Sequence, residues 1–317
     1  MTETAAARAG KVAPRTDADA PARPETVKIP EIGPTDEPLP EKRHRAVGKF
    51  LANRAAIVGG VVVAVFVLLA VFAPLIAPYD PLQTSFLAIR KAPSLAHFFG
   101  TDELGRDIFS RMAYGARASL LAGVVSVAIA AVIGVPFGLF AGFFGGWVDM
   151  VVSRVADAML SIPFLILAIA LAAFLGPTLT NAMIAIGISQ TPIFARLARA
   201  QTLAVKAEDY VEGAEAIGLP NRWIVARYVF PNVLPPLIVQ ATLTIATAII
   251  AEASLSFLGL GQQPPDPSWG SMLNTAKNFM GQAPWMSIFP GAAIFLLVLG
   301  FNLLGDGLRD ALDPRES

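Results

Sequence analysis

Apolar stretches of membrane length alternate along this chain with short polar connections, and one charged, amphipathic island of residues 203–231 interrupts them. A span needs ~20 predominantly apolar residues to cross ~30 Å of hydrocarbon. The pattern predicts spans at about 57–78, 119–142, 158–176, 179–195, 233–251 and 286–304. The first holds fourteen Val, Ile, Leu or Phe residues, enough to favour insertion by about 4 to 8 kcal/mol before other costs. Residues 118–148 carry no charge, whereas 179–195 is short for a span. Within the island, Leu203, Ala207, Tyr210, Ala214 and Ile217 recur at helical spacing, and Glu208, Asp209, Glu212 and Glu215 lie on other faces. Gly218 can supply a left-handed cap, and Pro220 cannot continue the turn. Asn221 can then cap a second short helix running to Pro231. The expected fold is an all-α membrane protein of six transmembrane helices with a helix–turn–helix held at the membrane surface.

Composition supports that reading and removes several others. Residues of apolar type make up 55 % of the 317, and charged residues 15 %, against about 25 % charged in soluble domains. There is no cysteine, which excludes disulfides and thiolate metal or redox sites. The two histidines, His44 and His97, both lie outside the expected spans, which argues against an intramembrane Ser–His protease. The formal net charge is zero and gives no basis for a nucleic-acid partner. The island is no DNA-reading helix pair either, because acids outnumber bases over 203–218 and the spans tether it at both ends.

Residues 1–46 hold seven prolines and no Phe, Trp or Tyr. They are expected to be a disordered tail, unable to bury enough apolar surface to offset chain entropy, ahead of a domain at 47–317. The tail is not a cleavable signal, because the first apolar run begins near Ile57. Orientation follows from Lys and Arg placement. Lys42, Arg43, Arg45, Lys49 and Arg54 precede the first span, and Arg196, Arg199, Lys206, Arg222 and Arg227 surround the island, so both belong inside. The 256–284 segment has only Lys277 and belongs outside. The first outer loop fits less well, with five cations from Arg90 to Arg117, although Asp80, Asp102, Glu103 and Asp107 offset most of that charge.

Glu212-Gly213-Ala214, followed after three residues by Gly218 and after nine more by Tyr228-Val229-Phe230-Pro231, resembles the "EAA" loop of ABC-importer permeases. The chain departs from that pattern at Gly213, Tyr228 and Phe230, with the spacing intact. Three further segments, HFFGTDELGRDIFSRMAYGARASL (97–120), EASLSFLGLGQQPPDPSWGSML (252–273) and FNLLGDGLRDALDP (301–314), narrow the likeness. They are similar to the C-type permease subunit of dipeptide, oligopeptide and nickel importers, and the resemblance covers about residues 47–315. It implies the six-span type I importer permease fold, with the island as a cytoplasmic coupling helix. It also implies a bacterial inner-membrane location with both termini cytoplasmic. The implied partners are a second homologous permease, two ATPase subunits, an extracytoplasmic substrate-binding protein and membrane lipid. No Gly-x-x-x-x-Gly-Lys-Ser/Thr loop occurs in the chain, so ATP and Mg are expected on the partner ATPases, with no cofactor, metal or catalytic residue here.

By the same resemblance, Glu212, Gly213, Ala214, Gly218 and Pro231 are the expected ATPase-coupling positions. Glu212 could pair with a partner cation or lie on a solvated helix face. Trp223 and Tyr228 could anchor an interface or sit at headgroup depth. Asp157 and Glu252 stand near span ends and are candidates for a pathway or gating role, with interfacial, water-reaching side chains as the alternative. Pro136 and Pro163 are expected to kink helices, and Gly134, Gly138 and Gly142 to pack a helix closely. The 256–284 loop is either an outer scoop near the binding protein or a plug without substrate contact. Local Asp–Arg pairing is the plain reading of GTDELGRD. The function expected is half of a translocation pathway for di- or oligopeptides, with nickel, glutathione or another small solute as alternative cargo. An ion-driven secondary transporter is the rival class, but it calls for paired broken helices in two halves, and no such symmetry shows in the sequence.

Overall fold

Asp107 begins one of the two longest helical segments among the described residues by accepting a hydrogen bond from Ser110 N at 2.8 Å, satisfying a donor that a helix start otherwise leaves orphaned. The computed structural model describes residues 48–312, and the tail expected at 1–46 lies outside them. Eleven helices matter here. They are α1 (Arg54–Val71), α2 (Ala73–Ile76), α3 (Ile108–Phe144), α4 (Gly146–Leu160), α5 (Phe164–Leu175), α6 (Leu179–Lys206), α7 (Asp209–Ala216), α8 (Asn221–Ile224), α9 (Phe230–Phe257), α10 (Trp269–Ala276) and α11 (Trp285–Leu312). The only pairing outside helices among the described residues is an isolated bridge between Thr101 and Asp107.

The first expected span ends early as a single helix. It breaks at Phe72, where Arg117 donates to the carbonyls of Ala70 (2.6 Å) and Val71 (3.1 Å). The third is bent. Ser161–Pro163 separate α4 from α5, the two axes meet at 90°, and Ser161 Oγ donates to the Ala158 carbonyl at 2.7 Å. Proline has no N–H to continue the ladder, so Pro163 becomes the cap of α5. Pro136, by contrast, sits inside a continuous α3.

Four helical segments, 54–71, 108–144, 221–257 and 285–312, are long and apolar enough to cross a membrane, and the bent pair α4–α5 makes a fifth if counted as one crossing. The expected fourth span, at 179–195, lies in α6 and is not among these. That helix has 28 residues, but Asn181, Ser189, Gln190, Thr191, Arg196 and Arg199 lower its apolar content.

Helix α6 runs beside α3 in the same direction. A Cβ on Gly134 would stand 2.5 Å from Thr191 O, one on Gly138 would overlap Ala195 O, and one on Gly142 would stand 2.8 Å from Arg199 O. The small-residue row therefore allows backbone-to-backbone approach, and this pair is the most extensive helix contact in the fold. Helices α1 and α11 pair antiparallel, with Gly59 against Gly300–Leu304 and Ala56 against Gly307. Two buried clusters fill the interior. One joins the N-terminal half of α3 to α9, α10 and α11 around Trp269. The other joins its C-terminal half to α5, α6, α9 and the island. The island and the C-terminus of α11 thus lie toward one end of α3, and the 77–107 loop and α10 lie at the other.

Candidate functional site

The island is two short helices wedged against the C-terminal end of α3. Helix α6 stops at Lys206, Ala207 and Glu208 leave helical geometry, and α7 begins at Asp209. This break resets the helical register. Of the expected apolar row only Ala214 is buried, while Leu203, Tyr210 and Ile217 are 44 %, 45 % and 77 % exposed. The face that packs is Val211 with Ala214, and these join Ile224, Val229, Val233 and Phe143 in the core. Spacing of apolar residues found an amphipathic element but placed its stripe as though the helix were continuous.

Gly218 closes α7 with φ +78°, a conformation that a Cβ penalises, and Leu219 N then donates to Ala214 O at 3.2 Å. The second helix differs from expectation. Pro220 occupies the cap position, Asn221 is the first helical residue and makes no capping bond, and the helix does not stop at Pro231. Instead the chain passes through a π turn at Val225–Val229 and continues as α9, one segment from 221 to 257. The wider turn accommodates the extra residue, as π turns do within α-helices. Pro231 follows this π turn at the start of α9.

Glu212 and Gly213 are exposed, as are Gly218 and Pro231. The Glu212 side chain makes no hydrogen bond or ion pair among the described residues, and a Cβ on Gly213 would meet nothing within 4 Å. Glu208, Asp209 and Glu215 share the exposed surface of α7, with Trp223 58 % exposed beside them in the chain. Tyr228 is half-buried against the core. Asn232 Nδ2 donates to Tyr210 OH at 3.2 Å and to Tyr228 O at 2.7 Å, so α7 is tied directly to the start of α9. Burial, and next the Glu208 carboxylate, push the Tyr210 hydroxyl above its ordinary pKa, which keeps it a neutral hydrogen-bonding group. Behind the island, Lys206 Nζ donates to Phe143 O at 2.9 Å, and Arg199 holds Asp149 of α4, with Nη2 to Oδ2 at 2.7 Å. Helix α7 is thus joined to α9 by Asn232 and to the core by Val211 and Ala214, while Lys206 and Arg199 tie α6 to α3 and α4. The sequence placed Arg199 near the island by its charge, but no signal pointed to its pairing with Asp149 or to Asn232.

The two candidates outside the island part company. Asp157 is exposed on α4 and pairs with Arg196 of α6 at 2.5 Å. Glu252 is 0 % exposed, enclosed by α3, α9 and the start of α10, where Ser119 Oγ (3.1 Å) and Ser256 Oγ (2.7 Å) donate to it. Glu252 does not reach water at the interface in this structure. No group of three or more potential metal ligands occurs among the described residues.

The comparisons with known proteins agree with this architecture. Residues 134–317 match the family described as binding-protein-dependent transport system inner membrane component, and residues 43–93 match the N-terminal TM domain of oligopeptide transport permease C. A dipeptide transport system permease protein of Alkalihalophilus pseudofirmus is 46 % identical over 287 residues, covering 88 % of this chain and 94 % of that protein. A probable D,D-dipeptide transport system permease protein of Escherichia coli is 44 % identical over 281 residues, covering 87 % and 94 %. A glutathione transport system permease protein of Pectobacterium atrosepticum is 44 % identical over 268 residues, covering 84 % and 89 %. In fold, 63 % of the chain superposes on 94 % of a chain of the MetNI methionine ABC transporter, with a TM-score of 0.53 at 23 % identity. Matched over more than half its length and closely related to transport permeases along most of it, the chain belongs to the binding-protein-dependent transport system inner membrane components, as a permease subunit of the ABC importer class.

Proposed function

We propose that this subunit forms half of a translocation pathway for short peptides and couples it to two ATPase subunits through α7. The observation that carries the reading is the exposed carboxylate surface of α7, with Glu212 at its centre and no partner for it among the described residues. Carboxylates so placed suit a basic cleft on another protein, and the buried Val211–Ala214 face supplies the rigid backing. ATP and Mg reside on the ATPases, and this chain performs no catalysis. A second permease completes the pathway, and a binding protein delivers cargo at the end of the bundle formed by the 77–107 loop and α10. The parallel run of α3 and α6 supports a reading of six crossings, with α4–α5 returning between them. Both termini and the island then face the cytoplasm of a bacterial inner membrane.

The cargo class rests on the three relatives, whose names specify a dipeptide, a D,D-dipeptide and glutathione. All are short peptides with free amino and carboxylate groups. The test is uptake of labelled dipeptide and glutathione into cells depleted of ATP with the proton gradient maintained. Uptake should stop, and uptake that persists would point to ion coupling and sink the importer reading.

A further inference from the structure

The surfaces of the membrane-length helices are not alike. Between 57 and 71 on α1, 121 and 144 on α3, and 288 and 299 on α11, every exposed side chain is apolar. Helix α9 differs. Its open face carries Gln240, Thr247 and Ser254 at intervals of seven residues, two helical turns apart; Thr247 is exposed and Gln240 and Ser254 are half-buried, with Ile250, 46 % exposed, beside them. At ~1.5 Å per residue the row extends ~21 Å, most of the thickness of the hydrocarbon.

Hydroxyls can close on their own helix, and Thr247 Oγ1 donates to Thr244 O (2.9 Å) and Ser254 Oγ to Ile250 O (2.8 Å). The carboxamide of Gln240 cannot do so fully. It gives one hydrogen bond to Thr244 Oγ1 at 3.0 Å and keeps further donor and acceptor capacity. Behind the row, Gln190 of α6, 2 % exposed, donates to Thr247 Oγ1 at 3.1 Å and fixes it from inside the bundle. A polar row that is partly uncovered and braced from behind does not suit acyl chains, which satisfy no hydrogen bonds. The face also carries no charge, because Glu252, the one ionisable residue of α9, is wholly buried.

We propose that Gln240, Thr247 and Ser254 are this chain's lining of the substrate passage. Their row is uncharged and hydrogen-bonding, and it passes short zwitterionic peptides without selecting on side-chain charge. Gln190 acts as a positioning residue behind Thr247. The inference rests on the importer reading above.

The chain contains no cysteine, so an introduced thiol is unique within it. The assembled transporter in membrane vesicles, ATP-free and vanadate-trapped, is treated with membrane-impermeant methanethiosulfonates, one cationic and one anionic. Labelling of this chain is read by mass. Gln240→Cys, Thr247→Cys and Ser254→Cys should react at least ~10-fold faster than Val132→Cys and Leu296→Cys, because thiols in apolar surroundings are poorly ionised. After correction for intrinsic reactivity, the two reagents should label the row at similar rates. Absence of labelling along the row in both states overturns the lining assignment, and a strong preference for one reagent charge overturns its neutrality. Labelling reports water access and not uptake. A loss of ATP dependence would therefore refute the importer reading while leaving the labelling result to stand by itself.

Discussion

The two ends of α3 handle charge in opposite ways. At the N-terminal end Asp102, Arg106 and Asp107 of GTDELGRD are buried, Glu103 is half-buried, and all four are paired. Arg106 donates to Asp102 (2.7 Å) and Glu103 (2.6 Å), while Arg111 faces Asp102 at 3.4 Å and donates to Pro81 O at 2.9 Å. Asp107 meets His97 Nδ1 at 2.9 Å and caps α3. Trp285 Nε1 donates to Thr101 O, joining this loop to α11, and Trp269 Nε1 donates to Met112 O, joining α10 to the start of α3. At the C-terminal end the carboxylates of α7 are exposed. Charges paired inside a loop hold that loop in shape, whereas charges left open with a packed backing are free to meet another surface.

The largest effect should come from breaking the closed end. Asp102→Ala leaves Arg111 buried without its only ion-pair partner among the described residues and takes one of two from Arg106, and such a loss costs about 3–5 kcal/mol. Folded complex recovered in mild detergent should fall sharply, and normal yield and melting would show that the network is dispensable. Next is the turn of the island. Gly218→Val puts a branched side chain at φ +78°, at a cost of about 1–2 kcal/mol, and should loosen α7, read as faster proteolysis within 207–220. Glu212→Ala should leave melting unchanged yet abolish uptake and weaken retention of the ATPases on an affinity column. Full uptake by this variant would place coupling elsewhere.

The smallest effect concerns Glu103. Burial, and then the neighbouring Asp102, hold its carboxyl above the ordinary value of 4.5. A raised carboxyl favours the protonated fold, so its contribution is present below pH 4.5 and is lost as pH climbs through the raised value. Glu103→Gln should flatten the dependence of melting temperature on pH above 4.5 relative to the parent. An unchanged slope would assign the pH dependence to another group.

Much of this was legible in the order of residues. The apolar runs, the break at Gly218, the close-packing glycines and the Asp–Arg pairing of GTDELGRD each follow from local chemistry that operates within a few residues or through a simple period. The register of α7 was not legible, because the two non-helical residues Ala207 and Glu208 carry no breaker signature. Nor was the continuous helix from 221 to 257, since a π turn depends on how Val229 and Val233 seat in the core.

Apolarity, helical periodicity and backbone permissiveness belong to the chain itself, and they suffice for a helical membrane permease with a surface element between its spans. Which side chains that element buries, whether Glu252 is enclosed, and which face of α9 stays open depend on helices far apart in sequence meeting one another. Ser119 reaches Glu252 across 133 positions, and Gln190 reaches Thr247 across 57. Contacts at that separation have no periodic trace, so they exist only once α3, α6 and α9 have packed.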